Sequence, residues 1–392
     1  MKNKTFLLLG AALMSMLACN KNNSAPEVPS GKSAVLTITL KKGNVSTKGT
    51  ENGTGNENKI NTLDVFVFNS TGDLDAFDRF VGYDATSEST KPVINCTTGA
   101  GKIVYVLVNG QWTRDYLAAN IGNADALKAL VFELDKNRGE SALDNFEMIG
   151  HNSKDFTPGA NTISVTVSRV VARVRLKKIT RNFSSSALNG KLEVVDVYMS
   201  NVVGSYGLGG DDPVMDAADN IWWNKYAYEA DHEPYPGYIS IDAAMNQWLH
   251  KTPATPQEIA SNASIDNLDY VFYVMPNQVA YNAADGGTEW APRRTKLVVE
   301  VRYTPVGGTA KTYYYPIPIC EQETYPELAA EKADTYNGLN ANTSYDITEL
   351  ELTRLGSTNP DEPVVAADVT LTIEVAPWDI YPLETESGKY VI

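Results

Sequence analysis

The residues able to carry reactive chemistry are few and scattered. His151, His232 and His250 lie far apart, and none falls in an HExxH-type ligand spacing. No GxSxG nucleophile elbow occurs. Gly99-Ala100-Gly101-Lys102 touches the phosphate-loop pattern, but Ile103 stands where Ser or Thr must hold magnesium. Asp211, Asp212, Asp216 and Asp219 offer oxygen ligands for calcium without the EF-hand spacing, and read first as a solvated acidic loop. A hydrolase would require a carboxylate pair, which spacing alone does not mark. The expectation is no catalytic residue, no metal and no cofactor. One group has binding chemistry: Trp222, Trp223, Tyr226, Tyr228, Tyr235 and Tyr238, in the Gly-, Asp- and aromatic-rich stretch 206–238. Exposed aromatics beside acids stack on sugars. The preferred reading is that the two tryptophans pin a long insertion onto the fold.

The remaining chemistry is modification and cleavage. Residues 1–18 join a positive start (Lys2, Lys4) to an apolar run from Phe6 to Ala18, the pattern of an export signal. Met16-Leu17-Ala18-Cys19 places a thiol at the cleavage point, as in a bacterial lipobox, so Cys19 is the expected lipidation site. Several acyl chains on one residue anchor stably where one would not. A polar tether, Asn20 to Lys32, follows. Cys96 and Cys320 sit far apart in strand-like runs and read as buried free thiols rather than a disulfide.

These residues must be positioned by β-structure. The 392-residue chain carries 33 Lys and Arg against 48 Asp and Glu, a net charge of −15 that argues against nucleic acid. Loss of Lys2 and Lys4 with the signal takes the mature charge to −17 (−15 − 2). Its length suits two domains with proper cores. Alternation with a period of two dominates. Strands are predicted at Ala34–Leu40, Leu63–Phe68, Ile103–Val108, Lys191–Met199, Tyr270–Met275, Leu297–Tyr303, Thr312–Ile319, Tyr345–Leu355 and Val369–Val375. One helix is predicted over Ala124–Leu134 with Asn123 as its N-cap, and a short one near Met245–Leu249. Ile163, Val165 and Val167 hold odd positions, whereas Val170, Ala172, Val174 and Leu176 hold even ones. That phase change, near Arg169, reads as one sandwich ending and another beginning, with a bulge in one long strand as the alternative.

The two ends of the chain are complementary. Strand Ala34–Leu40 puts Leu36, Ile38 and Leu40 on one face and runs into the polar stretch Lys41–Lys59, which contains the trypsin-like bond Lys48-Gly49. At the other end, Pro377–Ile392 continues past the last predicted strand with Trp378, Ile380, Tyr381, Leu383, Tyr390 and Val391, an apolar tail without an evident partner of its own. A strand that is cut away leaves a groove, and an apolar tail from a neighbour fills such a groove by strand addition. The contact is heterologous, so its repetition makes a filament.

At these residues the chain resembles the Bacteroidales fimbrillins, or type V pilins. The lipobox followed by Asn20-Lys21, the strand and basic site ending at Lys48, and Leu63–Asn69 (LDVFVFN) are similar to the N-terminal part of the major fimbrial subunit. Ser168–Leu176 (SRVVARVRL), Phe272–Asn277 (FYVMPN) and Glu374–Tyr381 (EVAPWDIY) are similar to the C-terminal part. The resemblance implies an all-β fold of two transthyretin-like β-sandwiches in series with a few short helices. It divides the chain into a signal peptide (1–18), a lipidated propeptide with a removable strand (19–48), an N-terminal sandwich (49–169) and a C-terminal sandwich (170–392). It also implies export as an outer-membrane lipoprotein precursor, removal of the strand containing Leu36, Ile38 and Leu40 by a trypsin-like protease at Lys48-Gly49, and polymerisation through the donor segment 377–392. Implied partners are other copies of the chain, anchor and tip subunits, the processing protease and the membrane. The implied role is a shaft subunit of a surface fimbrium that supports adhesion and biofilm formation. The alternatives are an anchor or tip subunit, or a lipid-anchored glycan-binding module. One feature departs from the pattern: the best-known members are cut after Arg, whereas the first Arg here is Arg79, inside the first sandwich.

Overall fold

In a computed structural model, residues 31–42, 51–52, 57, 59–83, 91–134, 145–208, 222–223, 249–268, 270–277, 295–319, 339–360 and 369–379 are described. The fold is all-β with a few short helices. The first strands are β1 (Ser33–Lys42), β2 (Glu51–Asn52), β3 (Thr62–Phe68), β4 (Leu74–Val81), β5 (Val93–Thr97) and β6 (Gly99–Val108). Helices α1 (Arg114–Asn120) and α2 (Ala124–Lys128) lead to β7 (Val131–Glu133), β8 (Met148–Phe156) and β9 (Gly159–Arg169). A seven-stranded sheet runs in the order β4-β3-β6-β8-β9-β1-β5.

The helix predicted over Ala124–Leu134 is shorter than expected. Asn123 caps it, accepting from the Ala126 amide at 2.8 Å, but it ends at Lys128. Val131, Phe132 and Glu133 instead form β7, because Phe132 is buried while Glu133 is exposed. Helix α1 was not anticipated, although Thr113 caps it and Asp115 lies in its first turn.

The strand break predicted near Arg169 falls at Val170-Val171, and the sheet changes there. Strands β10 (Ala172–Leu176), β11 (Ile179–Arg181), β12 (Lys191–Ser200), β13 (Val202–Val203), β14 (Ser205–Gly207) and β15 (Trp222–Trp223) follow. After them come β16 (Gln257–Glu258), β17 (Ala263–Ile265), β18 (Tyr270–Val274), β19 (Lys296–Thr304), β20 (Lys311–Pro318), β21 (Thr343–Leu352) and β22 (Val369–Asp379). One sheet is ordered β17-β11-β21-β10-β18, with β22 on β21, and another β16-β12-β19-β20. Both β10 and β11 run parallel to β21. In the first sheet β1 likewise runs parallel to β9. The backbone of Trp222–Trp223 pairs with Val202–Val203, which ties the aromatic-rich stretch to the chain just after β12. Buried apolar side chains from Ala34 to Leu352 form one continuous core.

Candidate assembly site

Strand β1 is far in sequence from its partner β9, yet it lies inside a sheet. It pairs in parallel with β9 from Ala34↔Gly159 to Lys42↔Val167, and antiparallel with β5 from Ser33↔Thr97 to Thr37↔Val93. Its alternation decides which face is buried: Leu36 and Ile38 are 0 % exposed, Ala34 2 % and Leu40 8 %. The predicted face is thus fully seated in the core. At the upstream end Lys32 and Thr98 are joined by two hydrogen bonds, the Thr98 amide donating to Lys32 O at 2.7 Å and the Lys32 amide to the Thr98 side-chain Oγ1 at 3.0 Å. Removal of β1 would open ladders on both sides and leave a slot lined by β5 and β9.

Ala34 stands opposite Cys96 of β5. Cys96 is a buried free thiol, as the sequence suggested; burial, and then the nearby Asp75 carboxylate, push it up to about 11. It is therefore protonated and unreactive while β1 is in place. Cys320 lies outside the described residues.

The sheet curls until its two edges meet. Asp75 of β4 accepts from the Thr97 amide of β5 at 2.8 Å and from Thr97 Oγ1 at 2.7 Å. Lys102 of β6, 1 % exposed, donates from Nζ to Asp75 Oδ2 at 2.8 Å, Thr97 Oγ1 at 2.9 Å and Asn69 Oδ1 at 2.5 Å. Burial alone would raise the Asp75 carboxyl, but the Lys102 and Thr97 hydrogen bonds outweigh it and hold the group below the ordinary carboxylate range. The lysine of the GAGK stretch is thus an internal strut, with no phosphate role.

Arg79, the first arginine, is fixed in the β3–β4 ladder opposite Asp64. It donates from Nε and Nη2 to the two Asp64 oxygens, each at 2.7 Å, and from Nη2 to the Trp112 carbonyl at 2.7 Å. A protease needs an extended, free segment, and this one is committed to pairing.

Of the residues between β1 and β3, Glu51–Asn52 and Glu57 meet the second sheet. The Glu57 carboxylate is buried on Arg173 Nη1 at 3.2 Å and the Tyr273 hydroxyl at 2.5 Å, and its carbonyl accepts from Arg169 Nε at 3.2 Å. Burial, then the Glu57 charge, push the Tyr273 phenol far above its usual range. No spacing in the sequence marked Glu57, one of two acids in the polar run 41–59.

The C-terminal strand is longer than expected. It runs past Val375, with Pro377 opposite Thr343 on β21 and Trp378–Asp379 in parallel with Glu51–Asn52 of β2. Pro377 and Trp378, read from sequence as the start of an unpartnered tail, therefore have backbone partners within the chain. Ile380, Tyr381, Leu383, Tyr390 and Val391 lie outside the described residues, as do Cys19, Lys48, Gly49 and the segment Met245–Asn246-Gln247-Trp248 of the second predicted helix. Among the described residues no group of His, Cys, Asp and Glu has metal-binding geometry.

The family model for the major fimbrial subunit protein (FimA) matches residues 34–178, from β1 through the change of sheet. Two curated relatives from Porphyromonas gingivalis match along nearly the whole chain. The major fimbrium subunit FimA type-2 is 24% identical over 96% of this chain and 98% of its own, and the type-3 subunit is 26% identical over the same shares. Solved structures share the fold. A protein described as a cell adhesion protein from Bacteroides eggerthii superimposes with a TM-score of 0.64 at 22% identity, covering 91% of this chain and 98% of that one. A fimbrilin from Porphyromonas gingivalis superimposes with a TM-score of 0.59 at 16% identity, covering 88% and 97%.

Proposed function

We propose that this chain, similar along nearly its whole length to major fimbrium subunits, is the shaft subunit of a surface fimbrium, made as a lipoprotein and assembled by strand exchange. In this reading Cys19 carries the lipid, residues 49–169 and 170–392 are the two sandwiches, and a trypsin-like protease cuts at Lys48-Gly49. The strand containing Leu36, Ile38 and Leu40 then leaves. A neighbour's C-terminal chain end takes its place.

The observation that carries this reading is the setting of β1, an interior strand whose connection to the rest of the fold is a polar stretch with a lysine site. A second observation supports the choice of donor. Leu36-Thr37-Ile38 of β1 is repeated as Leu371-Thr372-Ile373 of β22, and with Ala34 and Leu40 against Val369 and Val375 the apolar positions coincide along both strands. In its own sheet β22 has a long ladder on one side only, with β21. In the slot it would be flanked on both sides, as β1 is. The donor is the tail 377–392, into which β22 leads. Strand addition gains main-chain hydrogen bonds, and the alternate side chains select the register.

Deletion of Pro377–Ile392 should leave a folded, exported subunit that forms no heat-sensitive multimers on an unheated SDS gel. Replacement of Lys48 by Gln should hold the subunit in its precursor form. Filaments from the tail deletion would refute the donor assignment, and normal assembly of the Lys48 variant would move the processing bond.

A further inference from the structure

The strut formed by Asp75, Lys102 and Thr97 has a place in assembly that follows from the strand order. Strand β5 is the outermost strand of its sheet, and among the described residues its ladder is with β1 alone. When β1 leaves, that ladder goes with it. What then ties β5 to the rest of the fold, beside the core packing of Ile94 and Cys96 and the short connection through Thr98 to β6, is the polar contact with β4. The Asp75 carboxylate grips the Thr97 amide and hydroxyl, and Lys102 Nζ grips both Asp75 and Thr97. The group is well buried, with side-chain exposures of 2% for Lys102 and 8% for Asp75, so these charge-assisted bonds act in a low dielectric.

We propose that Asp75, Thr97 and Lys102 are positioning residues that hold β5 as the far wall of the acceptor slot during the interval between departure of β1 and arrival of the donor. The inference rests on the strand-exchange reading given above. It makes the two ends of the subunit unequal: loss of the strut should impair acceptance of a donor strand and leave donation intact, because β22 lies on a different sheet. An uncut subunit should also tolerate its loss better, since β1 still holds β5 there.

The test uses the full-length chain, purified uncut, trimmed with trypsin, and mixed with trimmed wild type. In the double variant Asp75→Leu/Lys102→Met both charges go together, so neither is left buried alone. Thr97→Val keeps the shape and removes the hydroxyl, and Thr97→Ser restores it. The uncut variants should show wild-type circular dichroism. After trimming, self-assembly of the double variant and of Thr97→Val should fall by about tenfold or more, as expected for lost hydrogen bonds to charged groups, while Thr97→Ser assembles normally. Mixed with wild type, the impaired variants should donate once and then terminate growth, shortening the filaments. If the double variant does not fold uncut, Thr97→Val and Thr97→Ser decide the matter alone. Equal self-assembly of Thr97→Val and wild type would overturn the proposal, as would a variant that fails to donate as well as to accept. If trimmed wild type itself forms no multimers, the strand-exchange reading has failed instead.

Discussion

Leu36→Ala separates a removable strand from a permanent one. Leu36 is 0 % exposed in the middle of β1, flanked by β5 and β9, so little room exists for the core to collapse around the lost atoms. Truncations of this kind cost about 2–5 kcal/mol. Taking about 3 kcal/mol, and a melting shift of about 2–4 °C per kcal/mol for a unit of this size, the uncut variant should melt about 6–12 °C below wild type. After trimming and reisolation the two proteins should melt together, because the altered residue has left with its strand. The substitution also weakens retention of the cut strand. Since every 1.4 kcal/mol is tenfold, β1 would leave up to about 100-fold more readily, and multimers should appear sooner after trimming. Differential scanning calorimetry of both forms, with gel sampling of the trimmed one, reads both effects. A melting difference that persists after trimming would mean β1 stays bound when cut, and the exchange argument would be wrong.

Two further outcomes follow from the packing. Asp346 of β21 is buried against Lys177 Nζ at 2.5 Å and Arg175 Nη1 at 3.4 Å; burial raises its carboxyl, but Lys177 and Ser344 more than offset this and hold it below the ordinary range. A depressed carboxyl stabilises the fold above its unfolded value of about 3.9 and loses that contribution as pH falls through its folded value. Asp346→Asn should therefore be less stable than wild type at pH 7, with the gap narrowing as pH falls below the unfolded value in urea titrations; a gap independent of pH would contradict this assignment. Gly150→Ala would place a Cβ 1.8 Å from the Thr166 carbonyl oxygen, a backbone atom that cannot swing aside. It should destabilise the first sheet by roughly 3 kcal/mol, and an unchanged melting point would show that β8 and β9 are further apart than described.

Much of the fold was legible in the sequence because half-buried strands print their burial as alternation. Strand β1, with Ala34, Leu36, Ile38 and Leu40 inward, is the clearest example. The change of sheet was legible for the same reason, since the apolar phase shifts by one residue around Arg169. Strand β8 was not: from His151 to Asp155 it is exposed and polar, and it is a strand because β6 offers it a ladder. Helix α2 was overextended because Val131, Phe132 and Glu133 fit a helical period as readily as a short strand. The strut was the least legible feature. Lys102 is buried only because Asp75 and Thr97 arrive from the two edges of a sheet that curls, and no spacing along the chain announces that meeting. Glu57 is similar, since its partners Arg173 and Tyr273 come from another sheet.

The central claim is that β1 is exchanged for a strand of another subunit, and Cys96 reports on it directly. Cys96 faces Ala34 across the β1–β5 ladder and is buried as a protonated thiol. Alkylation followed by mass spectrometry of the Cys96 peptide should be compared in the uncut subunit, the trimmed monomer and the assembled fimbrium. The thiol should be protected, then reactive, then protected again. A thiol that stays protected in the trimmed monomer, or stays reactive in the fimbrium, would contradict it.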